Sequence, residues 1–409
     1  RQNHALIDKD LSMDKHTQLI CDPRQVPMQI NSLQPPVYHA STIIFDNTKA
    51  LFQRHWRDRY DYSYGTHGTP TTYLLADQIA RLEGGKYALL TPSGLAAIVL
   101  VNTALLGQGD EVWVTENMYS PNLEHLYELQ KRYGVVIKIY NPLDATSFQP
   151  TAACKLLWLE AAGSVTLEFP DLQGLINIAK KHHVCVALDS TWGAGLAYSP
   201  FDLNGVSVDI CVHALTKYPS GGGDVLMGSI VTNDETLHTK LRRMHTLLGF
   251  SVSGDDCARV YRSLPSLALR YDKQSKNAIE LLTYLKHEPA FAQVLHPANP
   301  DTLGHQFWQQ NCPNGRSAGL VSVVFDKRYS WTDICRFCDT LQIFKLGFSW
   351  GSATSLVMLY DLSKMRTLPQ AHLCGRYVVR FCIGLESPKD LIDDIKTALG
   401  SLNYDEKSK

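Results

Sequence analysis

The chain has 409 residues, with 39 basic and 40 acidic side chains, a formal net charge of −1 and ten cysteines. That length exceeds what one hydrophobic core usually serves, so a large domain, a smaller one and an arm are expected. The balanced charge excludes an electrostatic surface for nucleic acid or membrane and leaves small molecules and further copies of the chain as partners.

Residues 1–70 are rich in Pro, Thr, His and aromatics with weak periodicity, and read as an extended arm that packs on another surface. Asp8, Lys9, Asp10, Asp14 and Lys15 stand where a signal peptide needs an apolar core, so export is not expected. From Tyr73 the pattern alternates. Helix-like Tyr73 to Glu83 leads to strand-like Tyr87 to Leu90, then to the apolar run Leu95 to Leu106, broken by Asn102 and Thr103. That run is too short for a bilayer, which needs about 20 residues, and reads as a buried helix. Strands at Glu111 to Thr115, Val135 to Tyr140, Lys155 to Glu160, Val184 to Asp189, Val208 to Val212 and Val225 to Val231 follow, with helices at Asn122 to Tyr133 and Leu172 to His182. Such interleaving predicts a mostly parallel sheet covered by helices, with ligands beyond the carboxyl ends of its strands. After about residue 265 a long helix, Ala268 to Leu285, and strands at Gly319 to Phe325, Ser355 to Leu359 and Tyr377 to Ile383 predict a smaller α+β domain. The expected division is an arm over 1–70, a large domain over 71–264 and a C-terminal domain over 265–409.

The cysteines are scattered, several of them inside apolar runs where they pack as small hydrophobes, which suits a reducing cytoplasm. Cys335-Arg-Phe-Cys338 has CxxC spacing but no second pair or histidine cluster, so no metal is expected there.

The run Asp209-Ile-Cys-Val-His-Ala-Leu-Thr-Lys217-Tyr-Pro-Ser-Gly-Gly-Gly-Asp224 carries the chemistry. A lysine leaving an apolar segment into a glycine-rich turn can lose its proton and attack a cofactor aldehyde. Val184-Cys-Val-Ala-Leu188 delivers Asp189 to a strand end in the same way, where a carboxylate suits a protonated pyridine nitrogen. Thr91-Pro-Ser93-Gly94-Leu95 joins a strand to a helix whose first N–H groups can hold a phosphate. Thr216 can donate its hydroxyl to the same group. Taken singly, such a lysine is more often a solvated surface group and such an aspartate a helix cap. In order, together with the phosphate loop, they satisfy the requirements of pyridoxal 5′-phosphate (PLP).

The chain resembles the trans-sulfuration, or Cys/Met-metabolism, family of PLP enzymes, and especially its cystathionine β-lyase branch. The motifs run from about Asp61 to Gly384: Tyr62-Ser-Tyr64-Gly-Thr-His-Gly68-Thr, Leu82-Glu-Gly-Gly85, Pro92-Ser-Gly-Leu-Ala96, Tyr119-Ser-Pro, Leu188-Asp-Ser-Thr-Trp192, Thr216-Lys217-Tyr218, Ser349-Trp350-Gly351 and Val379-Arg380-Phe-Cys-Ile-Gly384. The resemblance implies the aspartate aminotransferase-like fold type I and a homotetramer built as a dimer of dimers. It implies that Tyr119 stacks on the cofactor and assists proton transfer, that Arg380 grips the substrate carboxylate with Ser349 and Trp350 nearby, and that Tyr64 and Thr66 reach the phosphate of a neighbouring subunit's cofactor. Thr66 stands where the family has an arginine, and Ala214 where many relatives have a serine, so both positions lose a phosphate donor. Glu160-Ala-Ala-Gly163 replaces a Glu-Ser-Pro type of sequence. The implied reaction is α,β-elimination of L-cystathionine to homocysteine, pyruvate and ammonia, with cystine or cysteine as further substrates. Two alternatives stay open: γ-elimination or γ-replacement as in cystathionine γ-synthase, γ-lyase or sulfhydrylase relatives, and a PLP-fold regulatory binding protein with weak catalysis.

Overall fold

The computed structural model describes residues 14–21, 30, 32–54, 62–365 and 373–402. Asp8, Lys9, Asp10 and Asp61, used above, lie outside them. The first half of the chain forms α1 (Lys15–Ile20), α2 (Thr48–Gln53), α3 (Pro70–Glu83), β1 (Tyr87–Thr91), α4 (Gly94–Leu105), β2 (Glu111–Thr115), α5 (Ser120–Tyr133), β3 (Val136–Tyr140), β4 (Cys154–Glu160), α6 (Leu172–Lys181) and β5 (Cys185–Asp189). The second half continues with β6 (Ile210–His213), β7 (Gly228–Thr232), α7 (Glu235–Leu247), α8 (Gly254–Ser263), α9 (Leu267–Leu285), β8 (Phe291–Leu295), α10 (His305–Asn311), β9 (Leu320–Phe325), α11 (Trp331–Thr340), β10 (Lys345–Leu346), β11 (Leu356–Asp361), β12 (Tyr377–Cys382) and α12 (Pro388–Leu402).

Local chemistry sets the boundaries. Thr69 caps α3 and exchanges bonds with Thr72, Pro70 takes the first helical position, and Gly84 in the left-handed region ends the helix. Ser93 caps α4 by accepting from the Ala96 N–H at 3.0 Å.

Seven strands form a sheet in the order β1-β7-β6-β5-β4-β2-β3. β6, β5, β4, β2 and β3 run parallel, while β7 is antiparallel to both neighbours. Leu188 packs into the core shared with α3 and α6, and Ala187 and Val212 into the one shared with α4, so β5 and β6 are buried on both faces. This is the mostly parallel, helix-covered sheet that the alternation predicts. A second sheet, β10-β11-β12-β9-β8, is antiparallel except for the β10–β11 pair, and shares a core with α9, α11 and α12.

Several predicted boundaries shift, and two of the changes concern the lysine turn. The strand expected from Val225 begins at Gly228, because the Met227 N–H and carbonyl are taken by Thr216. β6 ends at His213, so Lys217 sits in the turn beyond the strand, with its N–H on the Ala214 carbonyl at 3.0 Å. Cys335 and Cys338 lie on α11 as free thiols.

The loop between β10 and β11 joins the second sheet to the lysine turn. Gly351 has φ +86° there, and a Cβ would stand 2.7 Å from the Tyr218 nitrogen and 2.8 Å from the Lys217 carbonyl carbon. Gly351→Ala therefore meets backbone in a strained conformation, and a loss of about 2–4 kcal/mol is expected from the urea unfolding midpoint.

Candidate active site

A cavity of about 160 Å³ opens at the carboxyl ends of β4, β5 and β6. Its lining includes Ser93, Gly94 and Leu95 from the start of α4, Tyr119 before α5, Asp189 at the end of β5, Thr216 and Lys217, and Trp350 from the second sheet's loop. Seven of the residues singled out in the sequence thus meet at one place with Trp350.

Lys217 donates from Nζ to Ser349 Oγ at 2.7 Å and lies over the Trp350 ring, 4.5 Å from its centroid. Burial, and next the Arg380 charge, bring the Lys217 amine down to about 8. Ser349 holds φ +95°, a strained value for a residue with a Cβ, and its hydroxyl is what meets the amine. The Arg380 guanidinium carbon lies 5.0 Å from the same Trp350 centroid and 5.4 Å from that of Tyr360. Arg380 is buried on β12, gives one bond to the Ser164 carbonyl at 2.5 Å, and keeps its buried Nε without a partner. A buried guanidinium with a spare donor is suited to a carboxylate.

Asp189 accepts the Thr191 N–H at 3.0 Å. Burial pushes its carboxyl up, opposed by the Thr191 hydrogen bonds and by the charges of His213 and Lys217. In register beside it on β4 stands Glu160, which accepts the N–H groups of Tyr119 at 2.6 Å and Ser164 at 2.8 Å. Burial, then the Asp189 charge, push Glu160 up to about 8. Tyr119 is half-exposed, and burial followed by Asp189 and Glu160 raises its hydroxyl.

At the phosphate end, the N–H groups of Gly94 and Leu95 belong to the first turn of a 12-residue helix and have no intrahelical acceptor. A Cβ on Gly94 would stand 2.6 Å from Ala214 Cβ, so the helix start and the lysine turn touch here. Ala214 supplies its N–H to Thr191 Oγ1 at 3.0 Å. The Thr216 hydroxyl accepts from Met227 N at 3.0 Å and donates to Met227 O at 3.3 Å, so its hydrogen is directed at the backbone. Among the described lining residues, Lys217 is the sole cation.

Tyr64 and Thr66 do not line this cavity. Tyr64 is exposed, and Thr66 lines a separate cleft with His67, Arg242 and His245. Glu160 is the residue that sequence reasoning did not place in the site. Its position at the end of the strand beside Asp189 is the signal that identifies it.

The donor set fits PLP: an amine of lowered basicity, a half-buried carboxyl for a ring nitrogen, a tyrosine at the cavity wall and a helix start for a phosphate. A model of the Cys/Met metabolism PLP-dependent enzymes matches residues 16–400. The chain is 33% identical over 369 residues to the cystathionine beta-lyase of Bordetella avium, covering 89% of this chain and 91% of that one. It is 31% identical over 384 residues to the L-alanine/L-glutamate racemase of Wolbachia pipientis wMel, covering 91% and 93%. The solved structure of cystathionine gamma-lyase from Lactobacillus plantarum, complexed with L-serine, superposes with a TM-score of 0.85 at 24% identity over 96% of this chain and 100% of that one, and shares the fold.

A lysine whose amine is held at about 8 destabilises the cofactor-free fold wherever it is protonated in both states. That cost is full below pH 8 and disappears as pH rises from about 8 to 10.5, where the folded protein has released a proton that the unfolded chain still binds. Lys217→Met should therefore raise the urea-unfolding stability of the cofactor-free protein at pH 7 by on the order of 2 kcal/mol, with the gain vanishing toward pH 10.5.

Proposed function

We propose that this chain, which belongs to the Cys/Met metabolism family of PLP-dependent enzymes, cleaves a carbon–sulfur bond by α,β-elimination, with L-cystathionine as substrate and cystine or cysteine as secondary ones. The observation that carries the reading is the stack of Lys217 and Arg380 on the Trp350 ring. It brings a base and a carboxylate-binding group to one indole, in the Ser349-Trp350-Gly351 motif that resembles the β-lyase branch.

PLP, when bound, supplies an aldehyde for amines and a ring that accepts electrons from Cα. Lys217 would anchor it, Asp189 would face its ring nitrogen, and Tyr119 would stack on the ring. Ser93, Gly94 and Leu95 would hold its phosphate, with Thr216 at the side and Tyr64 and Thr66 contributed by a neighbouring subunit. That sharing requires at least a dimer, which the family resemblance extends to a homotetramer made of two dimers, with residues 1–70 as the arm, 71–264 as the cofactor domain and 265–409 as the C-terminal domain. Free cysteines at all ten positions suit a reducing cytoplasm.

In the reaction, Arg380 would bind the substrate α-carboxylate and so orient the Cα–H bond toward Lys217. Lys217 as a free amine would take the Cα proton; its lowered basicity keeps a useful neutral fraction near pH 8. The thiolate at Cβ leaves with a proton from Lys217 or Tyr119, giving homocysteine, and the three-carbon remainder hydrolyses to pyruvate and ammonia. Trp350 shields the amine from bulk water.

A second reading, racemisation of a small amino acid, is supported by two proton carriers, Lys217 and Tyr119, at the same cavity. A Cα proton taken by one can be replaced by the other. The name of the Wolbachia relative agrees with it.

Purified protein supplied separately with cystathionine, cystine, O-acetylhomoserine and L-alanine distinguishes these readings by product. Pyruvate and homocysteine from cystathionine are expected; 2-oxobutyrate would assign γ-chemistry, and D-alanine without keto acid would assign racemisation. Lys217→Ala should abolish turnover together with the absorption of the lysine-bound cofactor. Arg380→Lys, which loses the planar fork, should lower kcat/KM by roughly 10–100-fold in steady-state assays with the substrate, chiefly through KM.

A further inference from the structure

Arg380 lies on β12 with 3% of its surface exposed, and its Nη1 gives one bond to the Ser164 carbonyl at 2.5 Å while Nε has no partner. Among the described residues no carboxylate forms an ion pair with it. A buried guanidinium normally stands against an acid, because an unpaired charge in a low-dielectric interior is costly. What stands here instead is aromatic. The guanidinium carbon is 5.0 Å from the centroid of Trp350 and 5.4 Å from that of Tyr360, both within the distance over which a ring face attracts a cation.

Sheet register brings Tyr360 to this place. Arg380 pairs with Met358 of β11 on one side and with Ser322 of β9 on the other. Tyr360 stands two residues beyond Met358, so its side chain leaves the same face of the antiparallel sheet and reaches Arg380 along the diagonal, a route open to aromatic and long side chains. That face packs on the segment after β4. Ser322 Oγ donates to the Val165 carbonyl at 2.6 Å, one residue from the carbonyl that holds Arg380, and Tyr360 packs against a buried cluster containing Val165, Val324 and Val378. The half-buried tyrosine is thus fixed on a strand, whereas Trp350 belongs to a loop. Its hydroxyl makes no hydrogen bond among the described residues, so the ring is what Arg380 meets.

A ring face and a carboxylate hold a cation with different consequences. A carboxylate would neutralise Arg380 and take its spare donors, so that a substrate carboxylate would have to displace it. A ring attracts the cation through its quadrupole, occupies no N–H group and still restricts where the guanidinium lies. We propose that Tyr360 is a positioning residue that, together with Trp350, keeps Arg380 ordered and charged with its donors open, and so sets the affinity of the site for the α-carboxylate of an amino-acid ligand. Tyr360 does not line the cavity and acts through Arg380. The inference rests on Arg380 as the carboxylate-binding group, and is independent of which bond the enzyme breaks.

The test uses the purified holoenzyme and two probes that differ only in the group at issue, L-alanine and ethylamine, which is alanine without its carboxylate. The dissociation constant of each is read from the change it makes in the bound cofactor's visible absorption. Tyr360→Leu should weaken L-alanine roughly 3–30-fold and leave ethylamine within about twofold of the parent. Tyr360→Phe, which keeps the ring face, should hold L-alanine as the parent does. Tyr360→Glu, which gives Arg380 an acid, should weaken L-alanine more than Tyr360→Leu does. A side chain that served packing alone would move both probes together. Equal weakening of the two probes by Tyr360→Leu, an unchanged L-alanine constant in that variant, or a Tyr360→Phe variant as weak as Tyr360→Leu overturns the proposal. If Tyr360→Leu fails to fold, Tyr360→Met, which refills the space without a ring, takes its place with the same expectation. Arg380→Lys separates this role from the reading of the site. A ratio of the two constants that Arg380→Lys does not move overturns the carboxylate assignment of Arg380 and the role of Tyr360 with it; a ratio that Arg380→Lys moves and Tyr360→Leu does not overturns the role of Tyr360 alone.

Discussion

The site depends on one contact between the two sheets: the amine of Lys217 held by Ser349 and covered by Trp350. Lys217 belongs to a turn after β6, whereas its partners belong to a loop that starts from the far edge of the other sheet. An exposed lysine at this turn would be a cation at any physiological pH. Enclosed by an indole and facing a buried guanidinium, it becomes a base. The enclosure has a backbone cost, since Ser349 and Gly351 both take positive φ. It persists because Gly351 lies directly on the Lys217 carbonyl, where no side chain fits. Strain in one half of the chain thus sets the basicity of a group in the other.

The charges around the cavity follow from the same enclosure. Arg380 and Glu160 are buried and Asp189 is half-buried, and each is given fewer opposite charges than its surroundings require. Arg380 has a donor to spare, and the two carboxyls are pushed toward neutrality. A ligand that brings a carboxylate to the first and a protonatable nitrogen to Asp189 would complete both deficits. Binding a zwitterionic amino acid beside a pyridine ring is therefore favourable here for reasons that precede any chemistry.

Much of this was legible in the residues, because topology and helix starts have strong local signals. Asp189 could be located because a five-residue apolar run ended in a carboxylate, and Ser93 because it preceded a helix pattern. Strand ends of a parallel sheet share one edge, so their convergence followed. The sequence pattern puts Lys217 at the strand exit and it lies in the next turn, because β6 ends at His213 and Thr216 then bonds Met227, a contact across 11 residues. α7 and α8 were not identified, and neither was β8. Glu160 was visible as a residue but not as a member of the site, since its neighbour in space is set by strand order, which periodicity does not reveal. His213 and Glu83, whose buried side chains meet at 2.6 Å, lie 130 residues apart in the chain and have no local signature at all.

At the start of α4 the departure at Ala214 fits the packing around Gly94. A serine at 214 would carry its hydroxyl beside the first turn of α4; the methyl there instead packs against Gly94, whose own Cβ would be 2.6 Å away. The close approach brings the helix start nearer the lysine turn and leaves the Gly94 and Leu95 N–H groups as the principal donors. Thr191 contributes indirectly, since its hydroxyl accepts the Ala214 N–H and its backbone holds Asp189. The cavity's own lining has no arginine among the described residues, so a dianion would be held by a helix dipole and by backbone geometry more than by side-chain charge. Such a cradle is rigid, because every donor in it is tied to the sheet or to the helix. It also depends little on ionic strength, since fixed N–H groups in a buried site are poorly screened.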